Sequence, residues 1–180
     1  MRAIGWALLV MMTPLAAQRG TPSRGEISAM ERSFDQRLQR FSFEAPMELL
    51  GMTRGLYLPA YGAVFTAEVN LVQTPGISPF RPSISKEDVA RIRAAKVKRL
   101  PELKTMMREM LLTSAGSLDR LPLDEQMVLG VSLFYSSWEE SAGLPRVITM
   151  QAQKRTLLDV ATNRMARTSL DSIIQTREEQ

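Results

Sequence analysis

The run from Ala63 to Val72 alternates so regularly that it admits one local structure. Phe65, Ala67, Val69 and Leu71 fall on one side of an extended strand, and Val64, Thr66, Glu68, Asn70 and Val72 fall on the other. The first set is wholly apolar and must be buried against a second layer. The second set carries a hydroxyl, a carboxylate and an amide, groups that stay hydrated unless a partner takes them. A sheet built on this strand therefore has two unequal faces.

The flanking sequence supplies the second layer. Ile27, Met30, Phe34, Leu38 and Phe41 recur at helical spacing, with Glu26, Glu31, Arg32, Asp35, Arg37 and Arg40 on the remaining arc. Leu56, Tyr57 and Leu58 lead into Pro59-Ala60-Tyr61-Gly62, a tight turn that makes this segment the hairpin partner of the alternating strand. Ser85 is placed as the N-cap of a long helix carrying Val89, Ile92, Leu100, Leu103, Met107, Met110 and Leu111. Pro101 inside that helix predicts a kink or two abutting helices, and Gly116 predicts the end of the run. Val128 to Trp138 reads as a second long strand, Ser141-Ala142-Gly143 as a turn, and Arg146 to Gln153 as the returning strand. A final helix is predicted from about Thr156 to Glu179. The fold expected is α+β: a single mostly antiparallel sheet of two hairpins separated by a long helix, helices on one face, with N- and C-terminal helices besides.

The chain has 180 residues and suits one domain. Arg2, the apolar run Ile4 to Met12, Pro14 and the small residues Ala16-Ala17 have the layout of an export signal. The apolar run is too short to span a bilayer, which takes roughly 20 residues. The expected division is a signal peptide at 1–17, a linker at 18–25 and a single α+β domain at 26–180, with no transmembrane segment after cleavage. The address expected is the periplasm or the cell exterior.

Chemistry is bounded mainly by what is missing. There is no histidine and no cysteine. That removes histidine-based triads, thiol chemistry, disulfides and the usual zinc, copper and haem ligand sets. Glycine-rich phosphate loops and the calcium loop pattern are also absent, so no cofactor is expected. Ser83-Ile84-Ser85-Lys86 matches the S-x-x-K spacing of penicillin-recognising enzymes, but its companion motifs are missing and Ser85 is already accounted for as a cap.

Two surfaces remain as candidates. Thr66, Glu68 and Asn70 share a strand face, as do Thr149, Gln151 and Gln153. A polar sheet face rimmed by Tyr57, Tyr61 and Trp138 suits an envelope polysaccharide or a peptide, because those aromatic side chains join an apolar body to a polar tip. On the central helix, Arg91, Lys98, Lys104 and Arg108 form a basic group suited to an anionic surface. Nucleic acid is not expected: the net charge of +4 is mild and no aromatics interleave with the basic residues. The apolar stripe at 27–41 packs on the domain's own sheet or forms a homodimer. The functional class expected is a non-catalytic binding or structural module. The alternative is a metal-independent hydrolase pairing Glu68 with Glu139 or Glu140.

The segments "YLPAYGAVFTAEVNL" and "GVSLFYSSWEESAGLPRVITMQAQKRTLLD" resemble a group of uncharacterised exported bacterial proteins. These carry a Y-x-x-x-Y-G-x-x-F strand, a later LFY…WE strand, and a GLP turn leading to a lysine or arginine before LLD. The resemblance covers about residues 46 to 159. It implies one domain and an exported address, and it brings no catalytic residue with it.

Overall fold

A computed structural model describes residues 20–40, 47–76, 78 and 83–180; the signal-peptide reading of residues 1–17 lies outside them. Helix α1, Arg24–Gln39, starts inside the predicted linker. Ser23 accepts from Glu26 N, and Glu26 Oε2 accepts in return from Ser23 N, a capping box that fixes the start. There follow strands β1 (Glu48–Leu49), β2 (Arg54–Leu58) and β3 (Gly62–Asn70), and helix α2, Lys86–Ala115. Strands β4 (Gln126–Leu133) and β5 (Val147–Gln153) come next, and helix α3, Lys154–Ala161, continues directly from β5. A 3-10 turn at Arg167–Ser169, a short helix α4 (Leu170–Ile173) and strand β6 (Gln175–Glu179) complete the described chain.

The strands form one six-stranded sheet in the order β1-β3-β4-β5-β6, with β2 beside β1 on the same flank of β3. Every pairing is antiparallel except the central one. There β3 and β4 run parallel, in register from Gly62↔Gln126 to Val69↔Leu133. The α+β class holds, with the β2–β3 and β4–β5 antiparallel pairs separated by the long helix in one mostly antiparallel sheet; α2 is the crossover that joins the parallel neighbours β3 and β4.

One face of the sheet is the core. Ala63, Phe65, Val69, Met127, Leu129, Val131, Ile148 and Met150 are all fully buried there, beneath α1, α2 and α3. Phe34 of α1 meets Phe65 of β3 edge to face, with ring centroids 5.0 Å apart. The apolar stripe of α1 is spent inside the domain: Ile27, Met30, Phe34 and Leu38 are buried. A homodimer through residues 27–41 therefore loses the stripe on which it rested; Phe41 lies outside the described residues.

Three other expectations are corrected. α2 is one helix across Pro101 and not two abutting ones; the Pro101 side chain is exposed together with Val97, the residue whose carbonyl loses its amide partner. The predicted C-terminal helix stops after one short stretch. Asn163 sits at φ 58°, a left-handed position that ends helices, and the chain then returns as β6 against β5. β4 is also shorter than predicted, leaving the sheet after Leu133.

α1 also seals the edge of β2. Gly55 N donates to Glu31 Oε1 at 2.8 Å, Arg24 Nη1 donates to Gly55 O at 3.3 Å, and Thr53 N donates to Asp35 Oδ1 at 2.8 Å. These three backbone groups face away from β3, where an open edge would recruit another strand. Gly55 has no room for a side chain: a Cβ there would stand 2.6 Å from Ile27 Cγ2 and 2.7 Å from Phe65 Cε1. Burial pushes the Glu31 carboxyl upward, but the Gly55 amide and Arg24 outweigh it and hold the group below the ordinary carboxylate value. A depressed folded-state pKa stabilises the fold above the unfolded value of 4.5, and that contribution is lost as pH falls through the folded-state pKa. Urea denaturation between pH 3 and pH 7 is expected to show a flatter acid limb in Glu31→Gln than in the wild-type chain.

Candidate functional site

Among the described residues no helix lies on the second face of the sheet. In register across it lie Arg54, Thr66, Gly130, Thr149 and Arg177, one residue from each of β2, β3, β4, β5 and β6. On either side run Glu68, Ser132, Val147 and Glu179, and Leu56, Val64, Val128, Gln151 and Gln175. Gly130 lies at the middle, where a Cβ would meet nothing nearer than 3.8 Å. It lowers the floor between Thr66 and Thr149. Over β5 and β6 the face forms a hollow of about 330 Å³ lined by Thr149, Gln151, Gln175, Thr176, Arg177 and Glu179. Gln151 Nε2 donates to Gln175 Oε1 at 2.9 Å, tying the two walls together.

The predicted site residues separate. Thr66, Glu68 and Gln151 stand on this open face as expected, Gln151 half-buried and the other two exposed. Asn70 does not join them: it is 2% exposed at the end of β3, and its Nδ2 donates to Glu48 Oε2 at 3.4 Å. Tyr57 turns to the core side, where its hydroxyl donates to Glu125 Oε1 at 3.1 Å. Ala60 N donates to the same oxygen, so Tyr57 belongs to the device that holds the β2–β3 turn. Tyr61 is exposed in that turn, at the start of β3. Trp138 is half-buried beyond the other end of β4. An eight-residue strand separates them, roughly 25 Å at about 3.3 Å per residue, so they do not rim one site.

The basic group on α2 is largely paired. Arg91 is joined to Asp88, Lys104 Nζ to Glu178 Oε1 at 2.6 Å, and Arg108 Nε lies 2.9 Å from Asp171 Oδ1. Lys98 alone of the predicted four has no carboxylate among the described residues and is exposed. The arrangement offers an anionic surface little uncompensated charge.

A second basic row on the same helix has partners that sequence reasoning does not reveal. Arg93, Lys96 and Arg99 are spaced by three along α2, so they share one face of the helix. Arg93 donates to Glu140 O at 2.8 Å and Ala142 O at 3.0 Å, Lys96 to Phe134 O at 2.9 Å, and Arg99 to Leu71 O at 2.6 Å. These carbonyls belong to segments leaving the carboxyl ends of β3 and β4. Lys96 and Glu139 form a buried ion pair at 2.6 Å, their side chains 1% and 3% exposed, and Lys96 also lies 4.6 Å from the Tyr135 ring centroid. Burial lowers the Lys96 pKa against the opposing pull of Glu139, and it raises that of the Tyr135 hydroxyl together with the Glu139 charge. At the opposite end of the sheet Lys154, 3% exposed, donates to Leu118 O, Asp119 O and Leu121 O.

Glu139 is thus committed to Lys96 on the helical layer, whereas Glu68 stands on the open face of the sheet. Of the two carboxylates considered as partners for Glu68, Glu139 is therefore already taken by Lys96. Among the described residues no cluster of three or more acidic side chains is disposed to hold a metal ion, and no helix is long and apolar enough to cross a membrane. Comparison with protein-family models, curated proteins and solved structures returned no match to this chain.

Removing one partner of a buried pair leaves an uncompensated charge. Lys96→Met is therefore expected to lower the unfolding free energy by about 3–5 kcal/mol, and Lys96→Met with Glu139→Leu by distinctly less. Chemical denaturation of the two variants against wild type checks this.

Proposed function

We propose that the chain is an exported, non-catalytic binding module of the bacterial envelope that contacts its ligand through the β4–β5–β6 half of the open sheet face. The observation that carries this reading is the hollow over β5 and β6. Its lining of hydroxyl, amide and charged groups projects from strands held in register, so the groups are placed before a ligand arrives. Thr149, Gln151 and Gln175 offer both donors and acceptors, and Arg177 with Glu179 adds one charge of each sign. Such a surface suits a neutral, hydroxyl- and amide-bearing polymer: an envelope polysaccharide or an extended peptide. None of the residues lining the hollow is aromatic, which argues for hydrogen bonding over ring stacking as its mode of contact. Export is supported by the pattern of Arg2, Ile4 to Met12 and Ala16-Ala17.

Soluble peptidoglycan fragments titrated into the full chain, followed by calorimetry, test the surface. Thr149→Ala with Gln151→Ala is expected to weaken binding at least tenfold, while Thr105→Ala, on the exposed side of α2, leaves it unchanged. Equal affinity in both variants, or no heat with wild type, would count against the reading.

A further inference from the structure

Gly130 is a glycine that the fold itself does not require. It stands in the middle of β4, where pairing with β3 and β5 runs unbroken from residue 126 to residue 132, so no bulge is present. Its φ is not positive, and a Cβ there would meet nothing nearer than Thr66 Cγ2 at 3.8 Å. Glycine inside a strand weakens it. With no bulge and no crowding neighbour to account for this one, the reason left is close approach by something outside the fold.

The side chains flanking Gly130 repeat. On one side Arg54, Thr66 and Glu68 line an open hollow of about 290 Å³, together with Met52 and Ser132. On the other, Arg177, Thr149 and Glu179 line the hollow over β5 and β6. Thr66 and Thr149 are the neighbours of Gly130 in register, and Arg54 and Arg177 lie one strand further out on either side. Arg54, Glu68, Arg177 and Glu179 are all exposed, and among the described residues none has an ion-pair partner within the chain. The same trio of threonine, arginine and glutamate thus stands on each side of a glycine floor.

We infer that the Arg54–Thr66–Glu68 hollow is a second subsite, and that one glycan chain of regular repeat crosses the strands over Gly130 to fill both. This rests on the reading of the β5–β6 hollow as a binding surface. Neighbouring strands lie about 4.8 Å apart, so the row from Arg54 to Arg177 spans about 19 Å. That is longer than a disaccharide and shorter than a hexasaccharide.

Repetition and charge select the occupant. Matching trios suit a polymer that presents the same groups at a fixed interval, which a glycan does and a peptide of mixed sequence does not. An extended peptide is also held chiefly through its main chain at a sheet edge, whereas a face offers it side chains only. Each trio carries one charge of each sign, so a polyanion attracted by the arginine is repelled by the glutamate. A neutral glycan satisfies both: its hydroxyl and amide groups donate to the glutamates and accept from the arginines and threonines.

Calorimetry of the full chain with N-acetylglucosamine oligomers of two and six sugars tests the inference. A hexamer seats in several registers on one disaccharide-sized site, which alone gives a gain of about fivefold over the dimer, whereas two linked subsites give far more. Wild type is expected to bind the hexamer at least thirtyfold more tightly than the dimer. Gly130→Val raises the floor between the subsites and is expected to cut this ratio to about fivefold, with a urea midpoint no lower than wild type. Arg54→Ala with Thr66→Ala is expected to cut it equally without touching the floor, and Thr105→Ala on α2 to leave it intact. A wild-type ratio of about fivefold, or a ratio indifferent to both kinds of variant, would overturn the second subsite while the β5–β6 surface stands. Binding of peptidoglycan fragments without binding of the hexamer would assign the face to their peptide stems and overturn the choice of a glycan. Loss of both would remove the surface itself, and the inference with it.

Discussion

Parallel pairing of β3 with β4 governs the arrangement of everything around it. Two parallel neighbours cannot be joined by a tight turn, so the chain between them must cross the sheet, and here it does so as α2. At 30 residues α2 is about 45 Å long, well beyond the roughly 30 Å of the strands it covers. The helix can thus reach segments at both ends of the sheet. All three longer helices share one layer, which leaves the opposite face without a helix among the described residues. The close approach of the two strands is visible at Gly62, where φ is 145° and a Cβ would stand 1.9 Å from Gln126 O.

Long basic side chains do much of the remaining joining. Strand ends and loops leave carbonyl groups that the sheet cannot satisfy, and a buried acceptor without a donor costs about 1–3 kcal/mol. Arg93, Lys96, Arg99 and Lys154 supply donors from the helical layer to those carbonyls. Burying the two lysines carries a desolvation penalty, seen in their lowered pKa values, with Glu139 opposing it at Lys96 and Asp119 and Glu26 at Lys154. Titratable groups that a survey for catalytic residues would single out are therefore occupied in holding loops to strands.

The alternating run at 63–72 was legible because side-chain period alone decides which residues share a face. The N-terminal amphipathic helix, the Ser85 cap and the turn at 59–62 were legible for similarly local reasons. The parallel pairing was not, since one sequence pattern fits a strand in either direction. β6 was hidden because its five residues are all exposed, and Gln-Thr-Arg-Glu-Glu carries no strand signal until β5 is beside it. Asn163 was a readable stop signal that was passed over. On the candidate site, the polar face of Thr66, Glu68 and Gln151 followed from alternation. The fate of Asn70 and Tyr57 depended on Glu48 and Glu125, partners distant in sequence that periodicity cannot reveal. The same holds for Arg93, Lys96 and Arg99: their common face is visible in the spacing, but the carbonyls they bind are not.

The proposed binding surface depends on a sheet face that no described helix covers. Because the chain lacks cysteine, a single thiol can report on that face directly. The rate of maleimide labelling should be compared for Thr149→Cys on the open face, Met150→Cys on the core face and Ser137→Cys in the exposed loop. The structure requires the Thr149→Cys thiol to react within threefold of the loop thiol and at least a hundredfold faster than the Met150→Cys thiol. Equal protection at positions 149 and 150 would mean that the face is covered, and the proposed binding surface would not exist.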